Sequence, residues 1–245
     1  MREPWNIAHR GASGSAPENT LVAFQRAMDL GATFIETDLH LTRDAHFVAI
    51  HDTTLDRTTN GHGAVRDLTL AQLRDLDAGK WFDREFMDER IPTLEEILAF
   101  ARSRDVVFYL ELKYDSAWGM HHALVGALRD VENASRTIVI SFDRSQIEAV
   151  RRLDRGIMTG LLIESTDGDP VKDAMTVGAR QLCPRADVIT PELVERAHRQ
   201  DLLVAAWTVD DPDEMRRLIS VGVDGIMSNF PDRVGKVVAS LKQTA

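Results

Sequence analysis

The amino-acid sequence predicts an α/β fold, a single (β/α)8 barrel, on two observations. The chain has 245 residues, of which 44% are hydrophobic, and a barrel of this kind commonly folds as one domain of about 250 residues. Short apolar runs alternate with amphipathic stretches from one end of the chain to the other, which is typical of repeated strand and helix units around a parallel sheet. No linker or low-complexity segment interrupts the alternation, so we predict one domain over residues 1–245.

Eight of the apolar runs are predicted strands, as a closed barrel of this type requires. In chain order they are Trp5–Ala8, Phe34–Leu39, Val106–Leu112, Thr137–Phe142, Met158–Ile163, Arg180–Cys183, Leu202–Thr208 and Gly225–Met227. The amphipathic stretches between them are predicted helices.

Four predicted helix starts carry capping chemistry, either the spacing of a capping box or a capping side chain before a first-turn proline. They are Thr93 with Glu96, Ser145 with Glu148, Thr190 with Pro191 and Asp211 with Pro212. Gly31 and Gly222 stand where helices should end. After Thr93, apolar residues recur at spacings of three and four, so we expect one face of that helix to pack on the sheet.

Residues 52–90 interrupt the rhythm of strands and helices. They contain Gly61, Gly63 and one short helical pattern after Thr69. Long excursions of this kind are uncommon in compact domains unless they are functional. We therefore predict an insertion after the second strand region that lies over the barrel mouth and covers or shapes a substrate site.

Composition restricts the partners and the compartment. Asp and Glu outnumber Lys and Arg by 39 to 29, giving a net charge of −10, whereas nucleic-acid binders usually show a basic patch. Cys183 is the only cysteine, so an intramolecular disulfide is impossible and a cytoplasmic location fits best. The sequence shows neither a signal-peptide core nor the ~18 apolar residues of a membrane span. We expect no nucleic-acid partner and no stable membrane association, while the oligomeric state is not predicted.

Polar residues stand at the ends of several predicted strands, where a purely structural pattern would have valine or isoleucine. The C-terminal ends of the strands form the active face of a (β/α)8 barrel, so these residues should converge on one site. They are His9, Arg10, Glu36, Asp38, His51, Glu111 and Lys113.

Glu36, Asp38 and Glu111 are predicted to hold a metal ion. Residues two apart in a strand point to the same side, so the carboxylates would face one pocket and repel one another. A hard divalent cation with oxygen ligands resolves this conflict, and we expect Mg²⁺ or Ca²⁺. Zinc is less suitable, because Cys183 lies elsewhere and no histidine pair has a zinc-binding spacing. The alternative for a Glu-x-Asp pair in a strand is a solvated face or an ion pair.

His9 and His51 beside such a metal suit phosphoryl transfer. A neutral imidazole can take a proton from the nucleophile and an imidazolium can give one to the leaving alkoxide, and both forms are accessible near an ordinary pKa of roughly 6.5. Arg10 and Lys113 would meet the charge on the phosphate oxygens. The other histidines are interpreted as surface or core residues: His40, His46, His62, His121, His122 and His198.

Six motifs in the chain are similar to the successive motifs of glycerophosphodiester phosphodiesterases. They are AHRGASGSAPENTLVAF, IETDLHLTRD, IHDTTLDRTT, ELK, SFD and WTVDD. The resemblance spans nearly the whole chain and is most specific in its first part. It implies the same acid–base pair, metal ligands and phosphate contacts, a small glycerophosphodiester substrate, and attack of the substrate's own glycerol hydroxyl to give a cyclic phosphate that water opens.

The resemblance also implies further substrate contacts. Glu18 lies in the loop after the first strand and would contact the substrate or support the site, the alternative being a role at the start of the next helix. Phe142 and Trp207 fall at strand ends and resemble the apolar side of the family's pocket, where they would pack against the glycerol or alcohol group. Their alternative is a purely core role.

Two positions depart from the usual family pattern. Ala45 replaces a turn glycine, and Ser228-Asn229 stands where a Thr-Asp pair is commoner. Neither change removes a proposed ligand or acid–base group. The second lies near the last strand and puts the preference for the leaving group in doubt.

Three other functions compete with this interpretation. One is hydrolysis of a lipid phosphodiester, as in related lysophospholipase D or sphingomyelinase D type enzymes. Another is glycoside hydrolysis, with Glu36 or Asp38 paired with Glu111, but this leaves both histidines, Arg10 and Lys113 without a role. The third is a barrel that only binds a phosphorylated metabolite or a partner.

Overall fold

The computed structural model describes residues 3–113, 120–130 and 134–243. The strands in this part are β1 (Trp5–Ala8), β2 (Phe34–Leu41), β3 (Phe47–Ala49), β4 (Val107–Leu112), β5 (Thr137–Ser141), β6 (Met158–Ile163), β7 (Gln181–Pro184), β8 (Leu203–Ala206) and β9 (Gly225–Ser228). The α-helices are α1 (Leu21–Asp29), α2 (Leu70–Arg74), α3 (Leu94–Arg102), α4 (Met120–Asp130), α5 (Arg144–Leu153), α6 (Pro170–Thr176), α7 (Pro191–His198), α8 (Pro212–Ser220) and α9 (Pro231–Gln243).

Eight parallel strands close into a barrel, as predicted. Around the ring the order is β1, β9, β8, β7, β6, β5, β4 and β2, and β2 pairs with β1 to close it. Ile7 is paired on one side with Phe34 and on the other with Met227. The short strand β3 lies outside the ring and pairs antiparallel with the end of β2. All eight predicted strands are present with bounds within two residues of those predicted, whereas β3 was not predicted as a strand.

Most of the predicted helix boundaries are confirmed. Thr93 caps α3 in a capping box with Glu96, and α7 and α8 begin with the predicted prolines. Gly31 and Gly222 follow α1 and α8 with φ values of 88° and 89°, a left-handed conformation that glycine adopts without steric cost.

The capping box predicted at Ser145 is wrong. Helix α5 begins at Arg144, and its N-cap is Asp143, whose carboxylate accepts the Ser145 backbone N–H at 2.8 Å. The Ser145 hydroxyl donates to the same carboxylate at 2.7 Å. Asp143 directly precedes the first helical residue and its carboxylate satisfies the free backbone N–H of Ser145, so Ser145 becomes part of the first turn.

The barrel interior is a packed core that supports the strand ends. Buried side chains from opposite strands meet there, among them Ile7, Tyr109, Ile140 and Met227. The Gln181 amide donates to the Tyr109 hydroxyl at 3.0 Å, so this buried polar pair is bonded internally. Larger apolar clusters fill the space between the sheet and the helices. The described side chains therefore fill the centre of the barrel and support the strand ends at its rim.

The predicted insertion packs around a small core of its own. Leu55, Val65 and Leu73 are buried there against Val48 and Ile50. The segment contains α2, which starts with a capping box at its N-terminus, and two 3-10 turns that were not predicted. That residues 52–90 are an insertion within a single domain remains a prediction. Across the described residues, no helix combines the length and apolarity needed to cross a bilayer.

Candidate active site

The residues predicted from strand ends lie at one rim of the barrel. Glu36 and Asp38 are in β2, and Asp38 is in register with Glu111 of β4. His9 directly follows β1, and its Nε2 lies 3.9 Å from Glu36 Oε2. His51 follows β3, the strand that pairs with the end of β2. The barrel therefore brings the predicted set to the C-terminal ends of its strands.

Three buried carboxylates form the centre of this site. One oxygen from each of Glu36, Asp38 and Glu111 lies within 4.8 Å of the others. Glu36 and Asp38 are fully buried and Glu111 is 8% exposed. The backbone N–H of Arg10 donates to Glu36 Oε2 at 2.8 Å, but no described residue donates to the buried Glu36 Oε1. An all-oxygen cluster with an unsatisfied buried oxygen could hold a divalent cation.

The carboxylates differ in their affinity for protons. Burial, together with Asp38 and Glu111, raises the pKa of Glu36 well above its ordinary value. Burial, followed by the Asp38 charge, raises the pKa of Glu111 to about 7. Burial opposes ionisation of Asp38 as well, but Lys113 and Arg10 outweigh it and lower the pKa of that carboxyl. Glu36 and Glu111 thus bind protons more tightly than ordinary carboxyls, as expected of crowded acids.

Arg10 and Lys113 lie directly against the acidic cluster. Lys113 Nζ is 2.9 Å from Asp38 Oδ1 and 2.6 Å from Glu111 Oε1, while Arg10 Nε is 3.3 Å from Asp38 Oδ2. Arg10 has a φ of 55°, an unusual conformation for a non-glycine residue and one that is concentrated at functional sites. Both side chains therefore offset the negative charge of the carboxylates.

The two predicted acid–base histidines have different partners at Nδ1. His9 Nδ1 lies 2.7 Å from the amide oxygen of Asn229, whereas His51 Nδ1 lies 2.7 Å from a carboxylate oxygen of Asp52. Burial, followed by the Arg10 charge, lowers the pKa of His9 to about 4. Burial also lowers the pKa of His51, although Asp38 opposes this shift. Both rings are thus less basic than an ordinary histidine.

A cavity of about 400 Å³ opens beside these groups. Phe142 and His40 line it; the predicted contact of Phe142 with the substrate stays a prediction, and the sequence analysis gave His40 no functional role. The Trp207 ring meets Phe142 edge to face at 5.4 Å, and its indole N–H donates to the Cys183 carbonyl at 2.7 Å. Trp207 therefore packs against Phe142, and its predicted contact with the substrate stays a prediction. A larger surface groove of about 540 Å³ between α6 and α7 contains none of the predicted residues.

Residues 9–233 match the glycerophosphoryl diester phosphodiesterase family. The chain belongs to this family. A glycerophosphodiester phosphodiesterase of Caldanaerobacter subterraneus subsp. tengcongensis is 40% identical to it over 95% of this chain and 96% of the relative. The match confirms the resemblance found in the sequence motifs.

Solved structures of family members have the same architecture. A phosphodiesterase of Oleispira antarctica, in complex with the product sn-glycerol-3-phosphate, has a TM-score of 0.88 and 28% identity, with 96% of this chain and 97% of that chain covered. A glycerophosphodiester phosphodiesterase of Agrobacterium tumefaciens has a TM-score of 0.83 and 28% identity over 93% of this chain and 97% of that chain.

Asn19 is a candidate functional residue that the sequence analysis missed. Its amide N–H donates to Asp38 Oδ2 at 2.8 Å, and its amide oxygen accepts the Thr37 hydroxyl at 2.7 Å and the Asp38 backbone N–H at 3.2 Å. Asn19 has a φ of 58°, which asparagine tolerates better than most residues. The family motif around Pro17 was the available signal. Asn19 thus orients one carboxylate of the cluster.

Arg57 is a second candidate that was missed, although it lies in a recognised motif. Its guanidinium donates to both Glu18 carboxylate oxygens at 2.8 and 2.7 Å, and to Asp52 at 2.7 and 3.1 Å. Arg10 donates to Glu18 as well, at 3.0 Å. Helix α1 is capped by Thr20 and not by Glu18. Glu18 therefore joins two arginines, and its predicted direct contact with the substrate remains a prediction.

Proposed function

We propose that this protein hydrolyses glycerophosphodiesters to glycerol 3-phosphate and an alcohol with the help of Mg²⁺ or Ca²⁺. The observation that carries the proposal is the cluster of Glu36, Asp38 and Glu111, whose oxygens lie within 4.8 Å of one another, with the imidazole of His9 3.9 Å from Glu36. Membership of the family supports the reaction class, and a product complex of one relative contains sn-glycerol-3-phosphate.

Glu36, Asp38 and Glu111 would hold the cation. Their donors are all oxygen, which favours Mg²⁺ or Ca²⁺ over zinc, and the unbonded Glu36 Oε1 is available as a ligand. When bound, such a cation stabilises negative charge that develops on the phosphate. With the carboxylates engaged as ligands, Arg10 and Lys113 would be free to leave them. Those two side chains could then donate charge-assisted hydrogen bonds to the phosphate oxygens.

The partners of the histidines support distinct roles in the reaction. His51 faces the carboxylate of Asp52, which stabilises its protonated form, while His9 faces a neutral amide. We propose that His9 takes the proton of the glycerol hydroxyl as its oxygen attacks phosphorus, and that His51 gives a proton to the departing alcohol. In the second step His51 takes a proton from water, and His9 returns one to the glycerol oxygen as the cyclic phosphate opens.

The cavity favours a small alcohol over a lipid. Of the described residues in the segment 52–90, only Asp52 and Thr53 line it. The exposed apolar side chains of that segment, Trp81 and Met87, are 39% and 54% exposed, yet neither is part of the cavity wall. An acyl chain would thus gain no contact with these two side chains at the cavity, so we propose that glycerophosphocholine is a better substrate than lysophosphatidylcholine.

The experiment measures release of glycerol 3-phosphate from glycerophosphocholine by protein stripped with EDTA, before and after addition of Mg²⁺ or Ca²⁺. We expect activity to be lost on stripping and restored by at least one cation, and Glu111→Gln to resist restoration. Exposed Glu195→Gln on α7 serves as the matched control. Full activity in EDTA would contradict the metal requirement, and turnover of lysophosphatidylcholine alone would contradict the substrate class.

A further inference from the structure

A series of hydrogen bonds leads to His9 from Asp210, whose carboxylate is not part of the acidic cluster. Asp210 follows β8 and lies next to the end of β9. Its carboxylate accepts the Asn229 backbone N–H at 2.9 Å and the Ser228 hydroxyl at 2.9 Å. It also accepts the side-chain N–H of Asn229 at 2.6 Å. The amide oxygen of Asn229 in turn faces His9 Nδ1 at 2.7 Å.

These contacts fix the orientation of the Asn229 amide. A carboxylate that accepts hydrogen bonds can face only the NH₂ side of an amide. Because Asp210 occupies that side, the amide oxygen must point toward His9. The Ser13 hydroxyl lies 2.7 Å from the same amide oxygen and can donate to it. A flip of the amide would place its NH₂ group against His9 and its oxygen against the Asp210 carboxylate. The hydrogen bond to Asp210 would then be lost.

The fixed amide in turn determines which nitrogen of His9 carries the proton. An amide oxygen only accepts hydrogen bonds, so the short contact at 2.7 Å requires a proton on His9 Nδ1. The neutral ring then has its lone pair at Nε2, the nitrogen that faces Glu36 at the acidic cluster. The other tautomer would place two acceptors against each other at Nδ1 and would block Nε2 with a proton.

We propose that Asn229 and Asp210 are positioning residues that hold His9 in the tautomer with a proton on Nδ1 and a free lone pair on Nε2. Asp210 acts on the His9 ring through Asn229, because it fixes the orientation of the Asn229 amide. The Ser228-Asn229 pair, which departs from the commoner family pattern, is thereby compensated by Asp210. This inference deepens the proposed function and rests on it for the catalytic use of His9.

The first test observes the tautomer directly and needs no activity. Protein labelled with ¹⁵N-histidine is studied by NMR with Mg²⁺ present, and the His9 signals are identified by their loss in His9→Gln. We expect a single neutral tautomer with the proton on Nδ1. Asp210→Asn should give a mixture of tautomers, because either side of the Asn229 amide can then face His9. A wild-type His9 with its proton on Nε2 would overturn the proposal, whether or not the protein is a phosphodiesterase.

The second test exchanges the two side chains. Asp210→Asn should reduce kcat by roughly 10- to 100-fold, the usual effect of removing a partner that orients a catalytic group, with KM changed less than about threefold. Asn229→Asp should also reduce kcat, because it places two carboxylates in contact. The double variant restores one carboxylate and one amide in the same space, so it should recover most of kcat and the single tautomer.

A matched control separates positioning from stability. Asp211→Asn alters the neighbouring carboxylate, which caps α8 through the backbone N–H groups of Asp213 and Glu214 and does not touch His9. It should lower Tm and leave kcat and the tautomer unchanged. If the double variant is no better than the single ones, or if Asp210→Asn keeps the wild-type tautomer, the proposed role of Asp210 is wrong. Absence of activity in the wild type with the expected tautomer would instead count against the proposed function.

Discussion

The side chains at the rim work through their immediate partners. His9 and His51 carry the same ring, yet one faces an amide and the other a carboxylate. Glu36 and Asp38 are two residues apart in one strand, yet burial raises the pKa of the first while Lys113 and Arg10 lower the pKa of the second. The chemistry of each group is therefore set by its neighbours and not by its residue type alone.

Removal of either proposed acid–base histidine should strongly reduce turnover and leave the fold intact. A general acid or base contributes typically 10²- to 10⁴-fold, so His9→Ala and His51→Ala should each lower kcat by roughly that factor. The matched control is His46→Ala, an exposed histidine in the turn between β2 and β3, which should retain activity. Circular dichroism checks the fold, and wild-type turnover in either variant would remove that histidine from the mechanism.

The affinity for the cation should rise with pH. Burial and Asp38 raise the pKa of Glu111 to about 7 in the metal-free protein, above its ordinary value of 4.5. A cation must displace this proton and any held by Glu36, so binding should strengthen by roughly tenfold per pH unit for each displaced proton as the pH rises toward 7. Titration calorimetry from pH 5.5 to 8.5 measures the slope. An affinity independent of pH would show that the site is already ionised.

The same shift has a consequence for the metal-free fold. The folded pKa of Glu111 lies above its unfolded value, so its contribution to stability is present below about pH 4.5 and is lost as the pH rises to about 7. Glu111→Gln cannot ionise. In this variant we expect a weaker loss of stability over that window, and weaker cation binding at every pH.

At the scale of elements, two connections join the site to the scaffold. The turn between β2 and β3 brings His51 back toward the barrel rim, and the Arg57 guanidinium links the segment 52–90 to the loop after β1 through Glu18. The hydrogen bonds from Arg57 also hold the pKa of Asp52 below its usual range. The segment therefore supports the partner of His51 in addition to forming part of the cavity wall.

The turn after β2 should be stabilised by Ala45→Gly. Ala45 is exposed and has a φ of 63°, a conformation that costs a residue with a Cβ about 1–2 kcal/mol. Glycine removes this cost but adds entropy to the unfolded chain, so we expect a net gain of about 0.5–1 kcal/mol in the free energy of unfolding. Urea denaturation measures it.

The control for this prediction is the opposite substitution, from glycine to alanine, at another left-handed position. Gly31 has a φ of 88°, and a Cβ at this position would meet no atom within 4 Å, so Gly31→Ala tests the backbone conformation without a steric clash. It should destabilise the protein by about 1 kcal/mol. A destabilising Ala45→Gly would indicate that the turn does not hold the left-handed conformation.

Arg57 should couple energetically to Glu18. A lysine cannot reproduce the bidentate contact, so both Arg57→Lys and Arg57→Ala should lower kcat/KM by about 10-fold or more. In a double-mutant cycle with Glu18→Gln, the two changes should be non-additive by about 0.5–3 kcal/mol in transition-state free energy. Arg66→Lys in the same segment is the matched control. Strict additivity would mean that the two side chains act independently.

At the scale of the whole molecule, the closed barrel provides a rigid rim on which separate loops meet. Its interior is filled by side chains such as Tyr109 and Met227, and the catalytic candidates occupy the strand ends above this core. Glu36, Asp38 and Glu111 are buried close together at this rim, and Arg10 and Lys113 offset only part of their mutual repulsion, because burial and the neighbouring carboxylates still raise the pKa values of Glu36 and Glu111. A bound cation should remove this repulsion.

Cation binding should therefore raise the thermal stability of the whole chain. A ligand at 100 times its Kd stabilises the folded state by about 2.7 kcal/mol, which corresponds to a rise in Tm of roughly 5–10 °C for a protein of this size. Differential scanning calorimetry of the EDTA-stripped protein with added Mg²⁺ or Ca²⁺ measures the shift. Glu36→Gln should remove most of it, and an unchanged Tm with both cations would argue against a metal site at Glu36.

The sequence by itself determined the barrel and most of the candidate site. Burial and backbone propensity leave a periodic trace in the chain, so the eight strands, the capping of α3 and the polar residues at strand ends could be predicted locally. The capping box at Ser145 was predicted wrongly because two capping side chains competed within three residues. The cytoplasmic location and the lack of nucleic-acid partners remain predictions of composition alone.

Only the tertiary structure decided which side chains meet. Asn229 reaches His9 across 220 residues of sequence, and it does so because β9 pairs with β1 in the closed barrel. The register of β2 against β4 places Asp38 beside Glu111, and the contact of Arg57 with Glu18 depends on how the segment 52–90 folds back on the rim. Local sequence patterns indicate which residues are buried. Contacts between residues distant in sequence depend on the order and register of the strands, and these cannot be read from one amino-acid sequence.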